Sequence, residues 1–242
     1  MTLQVLSPSL SDAEYDARNF YDRWIGGTGF ASPIGRLVFA VSGIVYSRTF
    51  VRVARLTSVD RVIEIGCGMG EILAAAQRRV RSKKSYLGID LSYQMILRGR
   101  GKVSKGLATK PVDLMVGSAL SLPVSSSLFD VVLLSHVIKY LTDEQLRLAL
   151  SESARVLKPG GRIVLWEFSP VLIPLVTRLI LKYCRAQRLR SEEELRCVME
   201  TVGYGDLKSF RITTPWLPWS NVALTGTMNG SHTRREKESH LQ

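Results

Sequence analysis

Cysteine is scarce in this chain and badly placed for pairing. Cys67, Cys184 and Cys197 are scattered through 242 residues. An odd, dispersed set provides neither a disulfide framework nor a metal-ligand spacing, so no metal is expected. A reducing cytoplasmic setting is the simplest one. Long apolar runs are missing too. The longest uncharged apolar stretch, Leu37–Ser47, falls short of the about 20 residues that cross a bilayer. The N-terminus has no basic segment leading into an apolar run, which argues against a secretory signal. No internal repeat or low-complexity segment stands out. Acidic residues are outnumbered, 21 against 33 Lys and Arg, for a net charge of +12. That excess is uneven: ten basic residues and only Asp90 lie between Arg78 and Lys110. Its plain reading is a solvated basic surface. Its sharper readings are attraction to an anionic membrane face or to RNA, and charge alone does not separate them.

What remains is ordinary globular composition, 45% hydrophobic and 22% charged, in a length that suits one α/β domain. Residues 10–24 and 34–56 carry helical patterns, separated by Gly26, Gly27 and Gly29. From Arg61 onward, short apolar runs alternate with helical stretches, which predicts a parallel sheet covered by helices. The expected strands are Arg61–Ile65, Tyr86–Ile89, Asp113–Val116, Asp130–Leu134, Arg162–Phe168, Leu207–Thr213 and Val222–Thr227. Two capping boxes mark helix starts, Thr142 with Gln145 and Ser191 with Glu194. The expected organisation is a helical lid over 1–57, an α/β domain over 58–228 with an insertion at 169–190, and a polar, disordered tail over 229–242.

The chemistry concentrates in the first strand and its turn, Glu64-Ile65-Gly66-Cys67-Gly68-Met69-Gly70. Glycines at alternate positions let the backbone turn sharply and approach a ligand. Asp90 ends the second strand twenty residues past Gly70, where an acid can accept from both hydroxyls of a ribose. The spacing is G-x-G-x-G rather than the dinucleotide G-x-G-x-x-G, and Glu64 precedes it. A carboxylate there repels a pyrophosphate. It suits a cofactor carrying positive charge, as S-adenosylmethionine does with its ammonium and sulfonium.

The segment Glu64–Gly70 resembles the first motif of class I S-adenosylmethionine-dependent methyltransferases, and Asp90 the acid that holds the ribose in that family. Gly117–Pro123, Phe129–Val132 and Ala154–Arg162 resemble its later motifs in the right order. The branch most resembled includes the quinone-biosynthesis C-methyltransferases and many small-molecule methyltransferases. The resemblance implies a Rossmann-like seven-stranded sheet in the order 3-2-1-4-5-7-6, strand 7 antiparallel, with helices on both faces. It implies cofactor contacts at Glu64, Gly66, Cys67, Gly68, Gly70, Asp90, Leu91, Ser118, Ala119 and Ser135, with Tyr21 of the first helix near the cofactor carboxylate. Members often carry Asp where Ser118 stands, so the adenine here would have a weaker, neutral acceptor.

His136 follows the fourth strand, where ligands of such sheets sit. It can face the transferred methyl and deprotonate an acceptor, or simply pack on the cofactor. Tyr140 divides the same way, with more weight on packing. Methyl transfer often needs only alignment and desolvation. The apolar stretches Leu37–Tyr46 and Val171–Leu181, each bordered by Arg and Lys, point to a small lipophilic acceptor and to peripheral contact with an anionic membrane. Nucleic acid is not the expected partner, because the turn Ser135-His136-Val137-Ile138 lacks the N/D-P-P-Y/F pattern of amino-methylating enzymes. The remaining alternatives are an RNA methyltransferase resting on charge, a cofactor-binding protein without catalysis, and a nicotinamide-dependent oxidoreductase, which the glycine spacing opposes.

Overall fold

The computed structural model describes residues 46–103, 112–168, 186–213 and 220–228, together with Tyr15, Arg18, Asn19 and Asp22. Seven strands run as β1 (Val62–Ile65), β2 (Tyr86–Asp90), β3 (Val112–Val116), β4 (Phe129–Ser135), β5 (Leu157–Phe168), β6 (Tyr204–Thr213) and β7 (Ser220–Met228). They form one sheet in the order β3-β2-β1-β4-β5-β7-β6. Strands β1 to β5 pair in parallel, and β7 runs antiparallel to both β5 and β6. The expected order and the antiparallel seventh strand are both present. The strand expectations hold, most of them extended by one to five residues. The largest extension is at β5, which starts at Leu157 because the turn through Pro159 and Gly160 still pairs Leu157 with Phe129.

Parallel strands buried on both faces read as apolar runs, and alternate side chains sort to opposite faces. Ile63, Ile65, Val132, Leu134, Ile163 and Leu165 enter one cluster, which is covered by α3 (Asp143–Val156) and α4 (Glu192–Val202). Val62, Val131, Leu133, Val164 and Trp166 enter the other. The second cluster is covered by α1 (Glu71–Val80) and by helical residues 46–53, which contribute Phe50 and Val53. Helix α2 (Tyr93–Val103) packs beside β3.

Helix starts follow the sequence signals. The Thr142 hydroxyl accepts from the Gln145 amide while the Gln145 side chain accepts from the Thr142 amide, and Ser191 and Glu194 repeat the pattern. Such caps are each worth about 1 kcal/mol. Arg190, buried, donates to the carbonyls of Ile138 and Leu141 and to Asp143. It thereby clamps the 3₁₀ turn Ile138–Tyr140 after β4. Of the expected lid over 1–57, only residues 46–57 and Tyr15, Arg18, Asn19 and Asp22 are described. The insertion at 169–190 is described only from residue 186, and the tail at 229–242 lies outside the described residues.

Candidate functional site

A cleft opens at the carboxyl ends of β1, β2 and β4, where such sheets bind ligands. Its empty volume is about 760 Å³, counting space open to solvent. The floor is the turn after β1. Gly66, Gly68 and Gly70 all take positive φ, between 56° and 75°. At Gly66 any larger residue is barred twice, by that backbone and because a Cβ would sit 1.8 Å from Cγ2 of Val137. The Gly66 and Cys67 amides donate to the Ile89 carbonyl, which draws the turn against the end of β2.

Asp90 sits where the turn and β2 meet. Its Oδ2 accepts from the Gly68 amide and its Oδ1 from the Ser92 amide, each at 2.8 Å. A carboxylate oxygen has room for a further bond, so both can still receive a hydroxyl. Burial raises the Asp90 pKa, the two amides oppose that, and Asp22 raises it further. Glu64 is buried with one oxygen, Oε2, unpartnered. Burial first and repulsion from Asp90 second push its pKa well above the usual carboxylate range. A buried carboxyl without a partner is costly unless something cationic arrives.

Of the residues expected at the site, Gly66, Gly68, Asp90, Leu91, Ala119, His136 and Tyr140 line the cleft. Cys67 is buried against Gly88, away from the lining, and contributes its backbone. Gly70 starts α1. Ser118 turns its hydroxyl to the Leu120 amide, 3.0 Å away, and its neighbours Gly117 and Ala119 face the cleft instead. Ser135 is buried in the pairing of β4 with β5. Tyr21 lies outside the described residues.

Arg18, which lines the cleft, and Asp22, which bonds the lining residue Ser92, were not singled out from the sequence. Arg18 faces the cleft with its Nε buried and unpartnered. Asp22, one helical turn on, accepts from the Ser92 hydroxyl, and the same Ser92 oxygen accepts from the Met95 amide at the start of α2. The spacing i, i+4 puts both residues on one helical face, a signal that could have identified them.

At the far side of the cleft, His136 holds φ 57°, a left-handed conformation rare outside glycine. Its ring lies among Tyr46, Trp166 and Phe168, with centroids 5.8, 6.4 and 4.6 Å away. Beneath it is a buried ion pair, Lys139 with Glu167. Among the described residues no group of His, Cys, Asp and Glu has metal-binding geometry.

A mixed seven-stranded sheet with an antiparallel seventh strand, and an acid-ended β2 gripping a glycine turn, define the class I methyltransferase architecture. Residues 62–161 match the family described as "Methyltransferase domain". The chain is 26% identical over 183 residues to a ubiquinone/menaquinone biosynthesis C-methyltransferase of Geobacter sulfurreducens, covering 66% of this chain and 71% of that one. It is 33% identical over 121 residues, half of each chain, to a demethylmenaquinone methyltransferase of Shouchella clausii. Among solved structures, geranyl diphosphate C-methyltransferase from Streptomyces coelicolor A3(2) superposes with a TM-score of 0.71 at 14% identity, over 91% of this chain and 99% of that one. Magnesium protoporphyrin IX methyltransferase from Synechocystis PCC 6803 gives 0.64 at 18% identity, over 92% and 100%. Residues 62–161 are a methyltransferase domain, and the chain is an S-adenosylmethionine-dependent methyltransferase similar to the quinone-biosynthesis enzymes. Its reaction is methyl transfer.

Proposed function

We propose that S-adenosylmethionine lies along this cleft and that the acceptor is a lipophilic small molecule met at an anionic membrane surface. The observation that carries the cofactor placement is the unpartnered, buried Glu64 oxygen, which lies behind the cleft lining, next to Ile65 and Gly66 and near enough to Asp90 for the two carboxyls to repel. Glu64 would meet the cofactor's ammonium, directly or through water, and Arg18 its carboxylate, so a buried acid and a half-buried base suit a zwitterion. Asp90 would hold the ribose, and Leu91, Gly117 and Ala119 would flank the adenine. Bound there, the cofactor supplies a methyl already activated on a sulfonium. The chain's own work is then to align the acceptor and exclude water.

Support for a lipophilic acceptor comes from the aromatic wall Tyr46, Trp166 and Phe168 around His136. Relatives named for ubiquinone, menaquinone and geranyl diphosphate act on molecules of that kind. The basic borders of Leu37–Tyr46 and Val171–Leu181, stretches mostly outside the described residues, support the membrane surface. Among the described residues no helix is long and apolar enough to cross a membrane. Two measurements test the reading. Labelled cofactor is incubated with a lipid and quinol extract, and mass spectrometry seeks a lipophilic product one methyl heavier. In flotation, binding to anionic but not neutral vesicles, lost in high salt, is expected. No binding to either, together with methylation of a water-soluble acceptor alone, would reject both parts.

A further inference from the structure

Behind His136 lies a charged pair, Glu167 and Lys139, that does not itself line the cleft. Glu167, near the end of β5, is buried, and its Oε1 lies 3.4 Å from His136 Nδ1 and 3.4 Å from Lys139 Nζ. The Lys139 amide donates to Oε2 and the Phe168 amide to Oε1. Lys139, also buried, donates through Nζ to the His136 carbonyl. Its Nζ stands over the Tyr140 and Phe168 rings at 4.6 and 5.3 Å.

We propose that Glu167 and Lys139 are positioning residues that fix His136 as its Nδ1–H tautomer, leaving Nε2 at the cleft to take the proton that the methyl acceptor gives up. This rests on the cofactor placement given above. The steps follow from donor and acceptor capacity. An ionised carboxylate only accepts, so the nitrogen facing Glu167 must carry the hydrogen. The other ring nitrogen then has the lone pair. Nε2 has no hydrogen-bond partner among the described residues. Glu167 holds the ring through Nδ1, and Lys139 fixes both the left-handed His136 backbone, through its carbonyl, and Glu167 itself, a strained arrangement typical of working sites.

Protonation states agree with this geometry. Burial would raise Glu167, but the Lys139 charge and then His136 bring it down to about 2. Burial pushes the His136 imidazole below its ordinary value. Glu167 opposes that, and Lys139 adds to it. Among the described residues, the charged and titratable groups facing the ring are Glu167 from β5, Lys139 from the 3₁₀ turn and Tyr46 from helical residues 46–53. Arg18 and Tyr140 line the same cleft. His136 is therefore neutral near pH 7 and able to accept. In the transfer, the sulfonium–methyl bond breaks with its electrons left on sulfur, and a new bond joins the methyl to the acceptor. The acceptor's proton goes to Nε2 and then to solvent. The acceptor class implied is one with an ionisable O–H or N–H coupled to the attacking atom.

The chain has three histidines, so long-range ¹H–¹⁵N spectra of the full protein resolve His136 by comparison with His136→Gln. The Nδ1–H pattern is expected, with a midpoint below 6.5. In Glu167→Gln the preference relaxes toward Nε2–H and the midpoint falls further, because the carboxylate that favours the charged imidazole is gone, while cofactor affinity by calorimetry is unchanged. Should that variant not fold because Lys139 loses its counter-charge, Glu167→Gln with Lys139→Met removes both charges together, and the same relaxation is expected. With the acceptor extract, His136→Gln and Glu167→Gln lower kcat at least tenfold and flatten the acid limb of the pH profile. An Nε2–H pattern in the native chain, or one unaltered by losing Glu167, overturns the proposal. Failure to bind cofactor, or to yield a methylated product, overturns the functional reading and leaves the tautomer result to stand or fall by itself.

Discussion

Gly68 donates its backbone amide to Asp90 Oδ2 at 2.8 Å, so the residue expected to hold the ribose also holds the glycine turn. Ser92 occupies the other oxygen at the same distance. Asp90→Ala should therefore lose cofactor contacts and loosen the turn at once. At about 1–2 kcal/mol per lost bond, affinity falls at least tenfold. Asp90→Asn should be little better, since its amide nitrogen would face an N–H rather than accept from it. Titration calorimetry on the two variants and the parent decides this. Native affinity in Asp90→Ala would mean the cofactor lies elsewhere.

Glu64 sets stability against binding. Its native pKa is raised well above the ordinary value by burial and by Asp90. A group shifted upward contributes stability that is fully present below its unfolded pKa, about 4.3. That contribution is lost as pH rises through the native value. Glu64→Gln removes the titration. The variant should melt above the parent at pH 8, and the gain should shrink as pH falls toward 5. Cofactor affinity should drop about tenfold, or 1.4 kcal/mol. Scanning calorimetry at several pH values, with and without cofactor, reads both effects. A variant less stable than the parent at pH 8 would count against an unpaired buried charge.

Two glycines with nearly the same φ separate strain from crowding. Gly66 has φ 75° and Gly160 φ 74°. A Cβ at Gly160 meets nothing within 4 Å, whereas one at Gly66 collides with Val137. Gly160→Ala should cost only the backbone term, about 1 kcal/mol, or roughly 2–4 °C in Tm. Gly66→Ala adds overpacking of about 1–3 kcal/mol and should also abolish cofactor binding, because Val137 lines the cleft. Equal melting temperatures would show that Val137 moves aside freely.

Much of the fold was legible along the chain, because its signals are local. The 2.0 and 3.6 periods, the two capping boxes and the glycine turn each act within a few residues. The strand order came through resemblance rather than periodicity. Glu64 and Asp90 could be read because each ends or precedes a recognisable turn. By contrast, the Ser118 hydroxyl spends one lone pair on Leu120, which no pattern announces.

The sequence by itself determined an α/β chain with a glycine-turn nucleoside site, since backbone conformation and short-range hydrogen bonding dictate those features. Only the tertiary structure decided what surrounds His136. Glu167 lies 31 residues away and reaches it because β4 pairs with β5, Ser135 opposite Trp166. Tyr46 arrives from a helix packed against Trp166, their ring centroids 5.0 Å apart. Arg18 and Asp22 come to the cleft from before the sheet begins. One chain read in order carries no distance between such residues. Burial then gives those contacts their weight, because a carboxylate, an ammonium and an imidazole shift one another strongly only where water is excluded.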